Sequence, residues 1–176
     1  MIESICPNNG LAFADWKPIS QRAAADRLEK SCSGTNDLTN NIELRRDVLR
    51  CVIEVLDHLK DDLVSLITEE IGKIPSEAEA ELPYATSFVQ VALGLLDTYQ
   101  FESKVNEHLI SEVPRGTGLL IAPYNDPVAG LTRKIAPCIA AGAAALIKPS
   151  ELGMQCAIRL DQGFANAGIQ KYINIL

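Results

Sequence analysis

Apolar side chains recur three or four apart from Val48 onward, through Leu49, Val52, Leu56, Leu59, Leu63, Leu66 and Ile67, and this spacing predicts one long amphipathic helix. Asn40 with Glu43 three residues on resembles a capping box that opens it, and Gly72 with Pro75 just beyond closes it. Ser76 with Glu79 forms a second box, for a helix that runs to about Tyr99, with Pro83 expected to kink it or delay its start. Ahead of these, residues 1–39 mix Pro, Asn, Gly and Ser with one short helical stretch, Ser20 to Lys30, followed by the turn-rich SCSGTNDLTNN. They read as an irregular lead-in to a domain over 40–176.

The pattern changes after Gly118. Gly118 to Tyr124 is a short apolar run, and Pro127 to Ala141 is helical, with Asp126 placed to cap it and Gly142 at its end. Ala143 to Ile147 is a second apolar run, Ser150 or Glu151 to about Ala167 is helical again, and Tyr172 to Leu176 is a third run. Strand, helix, strand, helix, strand predicts an α/β fold, a short parallel sheet of βαβ units under an N-terminal helical layer. Three strands leave open edges and too little sheet, so the chain is expected to self-associate as a homo-oligomer or to meet a second chain that completes the sheet.

Charge and composition narrow the function classes. Sixteen Lys and Arg against 23 Asp and Glu give a net charge of −7, which excludes the basic footprint of a nucleic-acid-binding protein. The most apolar stretch, Ile135 to Ile147, is broken by Pro137 and Gly142 and falls short of the ~20 residues a membrane-spanning helix needs. The N-terminus lacks a basic segment followed by an apolar one, and a cytoplasmic location is the expectation. Five cysteines at wide spacing, without a CxxC pair and with only two histidines, read as buried free thiols and give no metal site.

Candidate chemistry gathers in GLLIAPYNDPVAGLTRKIAPCIAAGAAALIKPSEL, Gly118 to Leu152. Pro123-Tyr124-Asn125 at a strand end, Lys134 with Pro137, the small-residue end Ala140-Ala141-Gly142 and then Lys148-Pro149-Ser150-Glu151 stand in the order seen in the aldehyde dehydrogenase superfamily. The chain resembles the first part of that family's nucleotide-binding, Rossmann-like domain in truncated form. Glu69 to Phe88 is similar to the family's Gly-Lys and acidic, Ala-rich helix, and AFADWKPIS is a weaker match.

The resemblance implies roles. Asn125 matches the family's Asn whose amide helps stabilise an oxyanion at the substrate carbonyl, a task suited to an amide N–H. Lys148 matches the Lys that holds the adenine-side ribose of NAD or NADP, with Ser150 and Glu151 beside it and Pro123 and Tyr124 lining the same crevice. By itself, Asn125-Asp126-Pro127 is also simple turn chemistry, and Lys148 a surface lysine at a strand end. Asp126 reads as a helix cap before an acid or base, while Glu77, Glu79 and Glu81 read as a solvated face.

Tyr124 stands where the family has Trp, and Asp126 puts a carboxylate where it usually has an aromatic residue. In the family pattern the Gly-rich turn, the general-base Glu and the nucleophilic Cys all come later than residue 176. Cys138 and Cys156, within predicted helices, are not substitutes. The function expected is a binding or partner-dependent remnant without autonomous dehydrogenase activity. Two alternatives stand beside it. One is a repurposed non-redox enzyme on an apolar carbonyl compound, with Asn125 polarising the carbonyl and Asp126, Tyr124 or Lys148 moving protons. The other is a fragment of an NAD(P)-dependent aldehyde dehydrogenase. The Ser31 to Asn41 stretch, read as an insert, favours a self-standing gene product over a fragment.

Overall fold

The computed structural model describes all 176 residues. The helices and a short sheet share one core. A long helix α1 (Gln21–Thr39) is followed by α2 (Ile42–His58), α3 (Lys60–Leu66), a π-helical turn over Ile67–Ile71, and α4 (Pro75–Thr98). The sheet comes after these. Its strands β5 (Gly118–Ile121), β6 (Ala145–Lys148) and β7 (Ile173–Ile175) lie side by side in that order and are all parallel, joined by α5 (Ala129–Ala140) and α6 (Met154–Asn166). This is the α/β architecture expected from the pattern. Leu49, Leu56 and Leu63 of the helical layer, Ala85 and Val89 of α4, Ile135 and Ile139 of α5, Leu160 and Phe164 of α6 and Ile147 of β6 form a single buried cluster.

Two antiparallel hairpins lie outside the expected elements. β1 (Ile2–Ile5) pairs with β2 (Ala12–Trp16) around Gly10 at φ +73°, and β3 (Glu102–Val105) pairs with β4 (His108–Ser111) around Asn106 at φ +56°. Both turns carry the residues that tolerate a left-handed backbone, Gly and Asn. The first 39 residues are therefore ordered structure and not an irregular lead-in.

The largest departure is α1. The stretch read as turn-rich is the second half of a 19-residue helix. Its buried stripe is Ser31, Gly34, Thr35 and Leu38, which has helical spacing but, ahead of Leu38, only small and polar side chains. The helix lies against the N-terminal ends of the strands, where the sheet offers main-chain polar groups. Thr35 Oγ1 accepts the Ala144 N–H at 3.0 Å, Asn174 Nδ2 donates to Ser31 Oγ at 2.8 Å, and Gly34 sits against the Lys171 carbonyl. A polar stripe answers a polar edge, which is why apolar periodicity misses it.

Other boundaries shift less. Asn41, one residue after the expected cap, accepts the Leu44 N–H at 2.9 Å and opens α2. The single long helix expected up to Gly72 is interrupted at Leu59 and again by the π turn, and Gly72 at φ +80° ends it. In α4 the first helical residue is Pro75, with Ile74 before it and no side-chain cap. Pro83 neither delays nor interrupts this helix; it lies on the exposed side, where water can take the carbonyl bond it leaves open.

Arg45 closes the helical ends. Its side chain is buried among main-chain carbonyls: Nε donates to Leu38 O at 2.8 Å, one terminal nitrogen to Ala140 O at 3.0 Å, and the other to Thr39 O. One cation thus terminates both α1 and α5, where carbonyls are unpaired and the helix dipole is negative. It also lies over the Phe101 ring, 5.0 Å from the centroid.

Candidate active site

At the opposite, C-terminal ends of the strands, ligands bind in open parallel sheets. Ile121 of β5 is in register with Lys148 of β6, and the Ala122 N–H donates to the Lys148 carbonyl at 3.0 Å, so Pro123 to Asp126 and Lys148 to Glu151 leave the sheet side by side.

The helices that follow these strands have N-termini already filled from within the molecule. The Glu81 carboxylate, on α4, accepts the N–H groups of Val128 at 2.8 Å and Ala129 at 3.0 Å. Glu70, on the π turn, accepts those of Gln155 at 2.8 Å and Cys156 at 3.2 Å. Both carboxylates are buried. A negative charge at a helix N-terminus is favoured by the orphan N–H groups and the dipole together, which holds each carboxylate inside the protein. Burial still pushes the Glu70 carboxyl up, while the Gln155 and Cys156 N–H groups pull it down.

This corrects two readings. Asp126 does not cap α5; its carbonyl accepts the Gly130 N–H, and its carboxylate faces elsewhere. Glu81 is not part of a solvated face, although Glu77 and Glu79 are exposed.

The Asp126 carboxylate instead joins Lys73 and Asn125. Lys73 Nζ donates to Asp126 Oδ1 at 2.6 Å and to Glu81 Oε2 at 2.7 Å, and Asn125 Nδ2 donates to Asp126 Oδ2 at 2.9 Å. Burial works against the Lys73 charge, but Asp126 and Glu81 outweigh it and its pKa is raised. The sequence pattern gives Lys73 no role of its own and puts Glu81 on a solvated face. Their signal was positional: Glu81 falls on the stripe of Ala78, Leu82, Ala85 and Val89, where a lone carboxylate needs a partner.

Lys148, Glu151 and Pro149 line a cleft of about 650 Å³, together with Trp16, Ile158 and Asp161. Lys148 Nζ donates to the Pro149 carbonyl at 3.0 Å and stands 3.6 Å from the Glu151 carboxylate. A bond from its own main chain and the Lys148 charge hold the Glu151 carboxyl below the usual range. Ser150 Oγ accepts the Leu152 N–H at 3.2 Å and starts a 3₁₀ turn over Glu151–Gly153. Trp16 Nε1 and Asp161 Oδ1, two buried polar atoms without partners, belong to residues of this wall.

Tyr124 and Pro123 lie apart from that cleft. Tyr124 is exposed and lines a neighbouring hollow of about 270 Å³ under β1, sharing Glu151 with the larger one. Pro123 packs against Gly130 of α5, where a Cβ would come within 3.2 Å of its ring.

The cysteines are all free. Cys6 and Cys156 are buried as expected, Cys51 and Cys138 are half-buried, and Cys32 on α1 is exposed, contrary to the sequence reading. Burial pushes the Cys138 thiol up to about 11, and burial with the nearby Glu70 charge pushes Cys156 up further. Among these residues no group of three or more His, Cys, Asp and Glu is arranged to hold a metal ion. No helix is long and apolar enough to cross a membrane.

The model of the aldehyde dehydrogenase family matches residues 1–175. The chain belongs to the aldehyde dehydrogenase family. Among curated members it is similar to succinate-semialdehyde dehydrogenase of Paenarthrobacter nicotinovorans, 30% identical over 155 residues, which are 83% of this chain and 34% of that protein. It is also similar to the mitochondrial succinate-semialdehyde dehydrogenase of Rattus norvegicus, 29% identical over 163 residues, 90% of this chain and 27% of that protein. A solved structure of an aldehyde dehydrogenase C mutant from Pseudomonas syringae, in complex with NAD+ and octanal, superposes with a TM-score of 0.92 at 29% identity, over 99% of this chain and 37% of that one. The chain therefore spans about a third of the length of these relatives. The match extends through the hairpin β1–β2 and α1, so Ser31 to Asn41 is part of the shared fold and not an insert.

Proposed function

We propose that these 176 residues form the dinucleotide-binding and carbonyl-orienting half of an aldehyde dehydrogenase site, without oxidising aldehydes by themselves. The observation that carries this is the side-by-side exit of Asn125 and Lys148 from adjacent parallel strands, at the sheet end where ligands bind.

A nicotinamide dinucleotide suits the larger cleft. Lys148 offers a cation for ribose hydroxyls or phosphate, Glu151 an acceptor for a diol, and Ile158 and Met154 an apolar wall for a base. When bound, that cofactor supplies a hydride acceptor. The chain's own contribution is to hold the cofactor at Lys148 and to offer the Asn125 amide to a carbonyl oxygen, stabilising negative charge that grows there.

The absence of autonomous activity rests on the thiols. Cys156 lies in the first turn of α6, near the strand ends, but is buried and held protonated, and Cys138 is held protonated further along α5. Neither has the thiolate character a nucleophile needs. Further polypeptide, a second copy or a second chain, completes the sheet in this reading. Its support is the open edge β5, where Leu119 and Ile121 are 62% and 63% exposed.

Calorimetry of the purified chain with NAD and with NADP, beside a Lys148→Ala variant, tests this, and sedimentation reads the assembly. Saturable binding that weakens about tenfold in the variant, the loss of ~1.4 kcal/mol of contact, is the expected result. A folded wild-type chain that binds neither dinucleotide would overturn it.

A further inference from the structure

Three charges run from the core to the Asn125 amide. Glu81 is innermost, its side chain 1% exposed, with Oε1 on the Val128 and Ala129 N–H groups and Oε2 on Lys73. Lys73 is next and spans to Asp126, whose second oxygen accepts from Asn125. Every oxygen of both carboxylates is used. Lys73 reaches from the loop before α4 to the loop before α5 and is the side chain bonded to both Glu81 and Asp126.

This order has two physical consequences. An ionised carboxylate only accepts, so Asp126 dictates that the nitrogen of the Asn125 amide, and not its oxygen, faces it. One N–H is thereby held and the second N–H of the same group is left for a carbonyl oxygen. A carboxylate beside a group that is to stabilise negative charge also opposes that task, and a cation at 2.6 Å offsets it. Without Lys73, Asp126 loses the contact that ties it to Glu81, and the Asn125 amide loses a fixed partner.

We propose that Lys73 is a positioning residue: by bridging Glu81 and Asp126 it fixes the orientation of the Asn125 amide and balances the carboxylate next to it. The inference deepens the carbonyl-binding reading of Asn125 and rests on it. Lys73 acts through Asp126, with its ammonium engaged by the two carboxylates.

The test is the side-chain amide resonance pair of Asn125 in the full chain, followed by NMR during titration with propanal. In the wild type the two amide protons should give a well-separated pair that propanal shifts. In Lys73→Met the pair should collapse toward the position of an exposed Asn amide, with apparent propanal affinity reduced about tenfold, equivalent to ~1.4 kcal/mol. Lys73→Arg should restore both. The Val128 and Ala129 main-chain amides, held by Glu81, should stay in place and report that α5 is intact. An Asn125 pair unchanged in Lys73→Met would overturn the proposal. Should that variant also move Val128 and Ala129, Asp126→Ala, which leaves Lys73 on Glu81, puts the same question, and an unchanged pair there overturns it equally. A wild-type pair that propanal does not move, but that Lys73→Met still collapses, removes the carbonyl reading while upholding the orientation of the amide by Lys73.

Discussion

Gly34 stands directly against the Lys171 carbonyl: a Cβ built on it would lie 2.2 Å from that oxygen. Alanine in a helix interior normally gains about 1 kcal/mol over glycine. Here the gain is overridden, because the obstacle is main chain and α1 must move off the strand ends. Gly34→Ala should lower stability by about 2 kcal/mol in urea unfolding. The control is Gly94→Ala on α4, where nothing lies within 4 Å of the added carbon and stability should rise.

Arg45 should tolerate no neutral replacement. Arg45→Met leaves the Leu38, Thr39 and Ala140 carbonyls without their donor in a buried place. Bonds from a charged donor contribute roughly 1.5–3 kcal/mol, so a loss on the order of 3 kcal/mol is expected, read as a lower urea midpoint.

The tie at Lys73 has a pH signature. Its folded pKa is raised above its unfolded value, so the stability it contributes is fully present below the unfolded value and is lost as pH rises through the folded one. The stability difference between wild type and Lys73→Met should be constant from neutral pH to about pH 10, near the ordinary lysine value, and shrink above it. Unfolding curves at a series of pH values measure this.

Thiol labelling should be ordered. Cys32 is exposed and should react first with a disulfide reagent in the native protein. Cys138 and Cys156, raised by burial, should react only as the chain opens. Mass spectrometry of partly labelled protein identifies the sites, and early labelling of Cys156 would contradict the burial that makes it unfit as a nucleophile.

Much of the βαβ unit was legible because its strands are apolar runs and its helices end at Gly142 and Gly168. Where apolar periodicity is silent, the reading failed. The stripe of Ser31, Gly34 and Thr35 carries helical spacing without hydrophobicity, since it meets polar strand ends. The two hairpins were marked by Asn-Asn-Gly at 8–10 and Asn106, turn residues with no long apolar strand beside them. Glu70 and Glu81 were visible as acids placed on apolar stripes, with Leu63 and Ile67 and with Ala78 and Leu82. What could not be read is the partner of each, since both lie more than 40 residues away in sequence, at 128 and 155.

Glu70 and Glu81 also decide what a small anion finds on this protein. The two helix ends that would greet a phosphate are occupied by the chain's own carboxylates, so positive charge at the cleft comes from side chains alone: Lys148, Lys17 and Arg27, the last already paired with Asp161. Inorganic phosphate or sulfate therefore meets side-chain charges there and no free helix end, and its hold on the cleft should weaken as salt is raised. A dinucleotide drawn to the same side-chain charges would lose affinity between low and high salt.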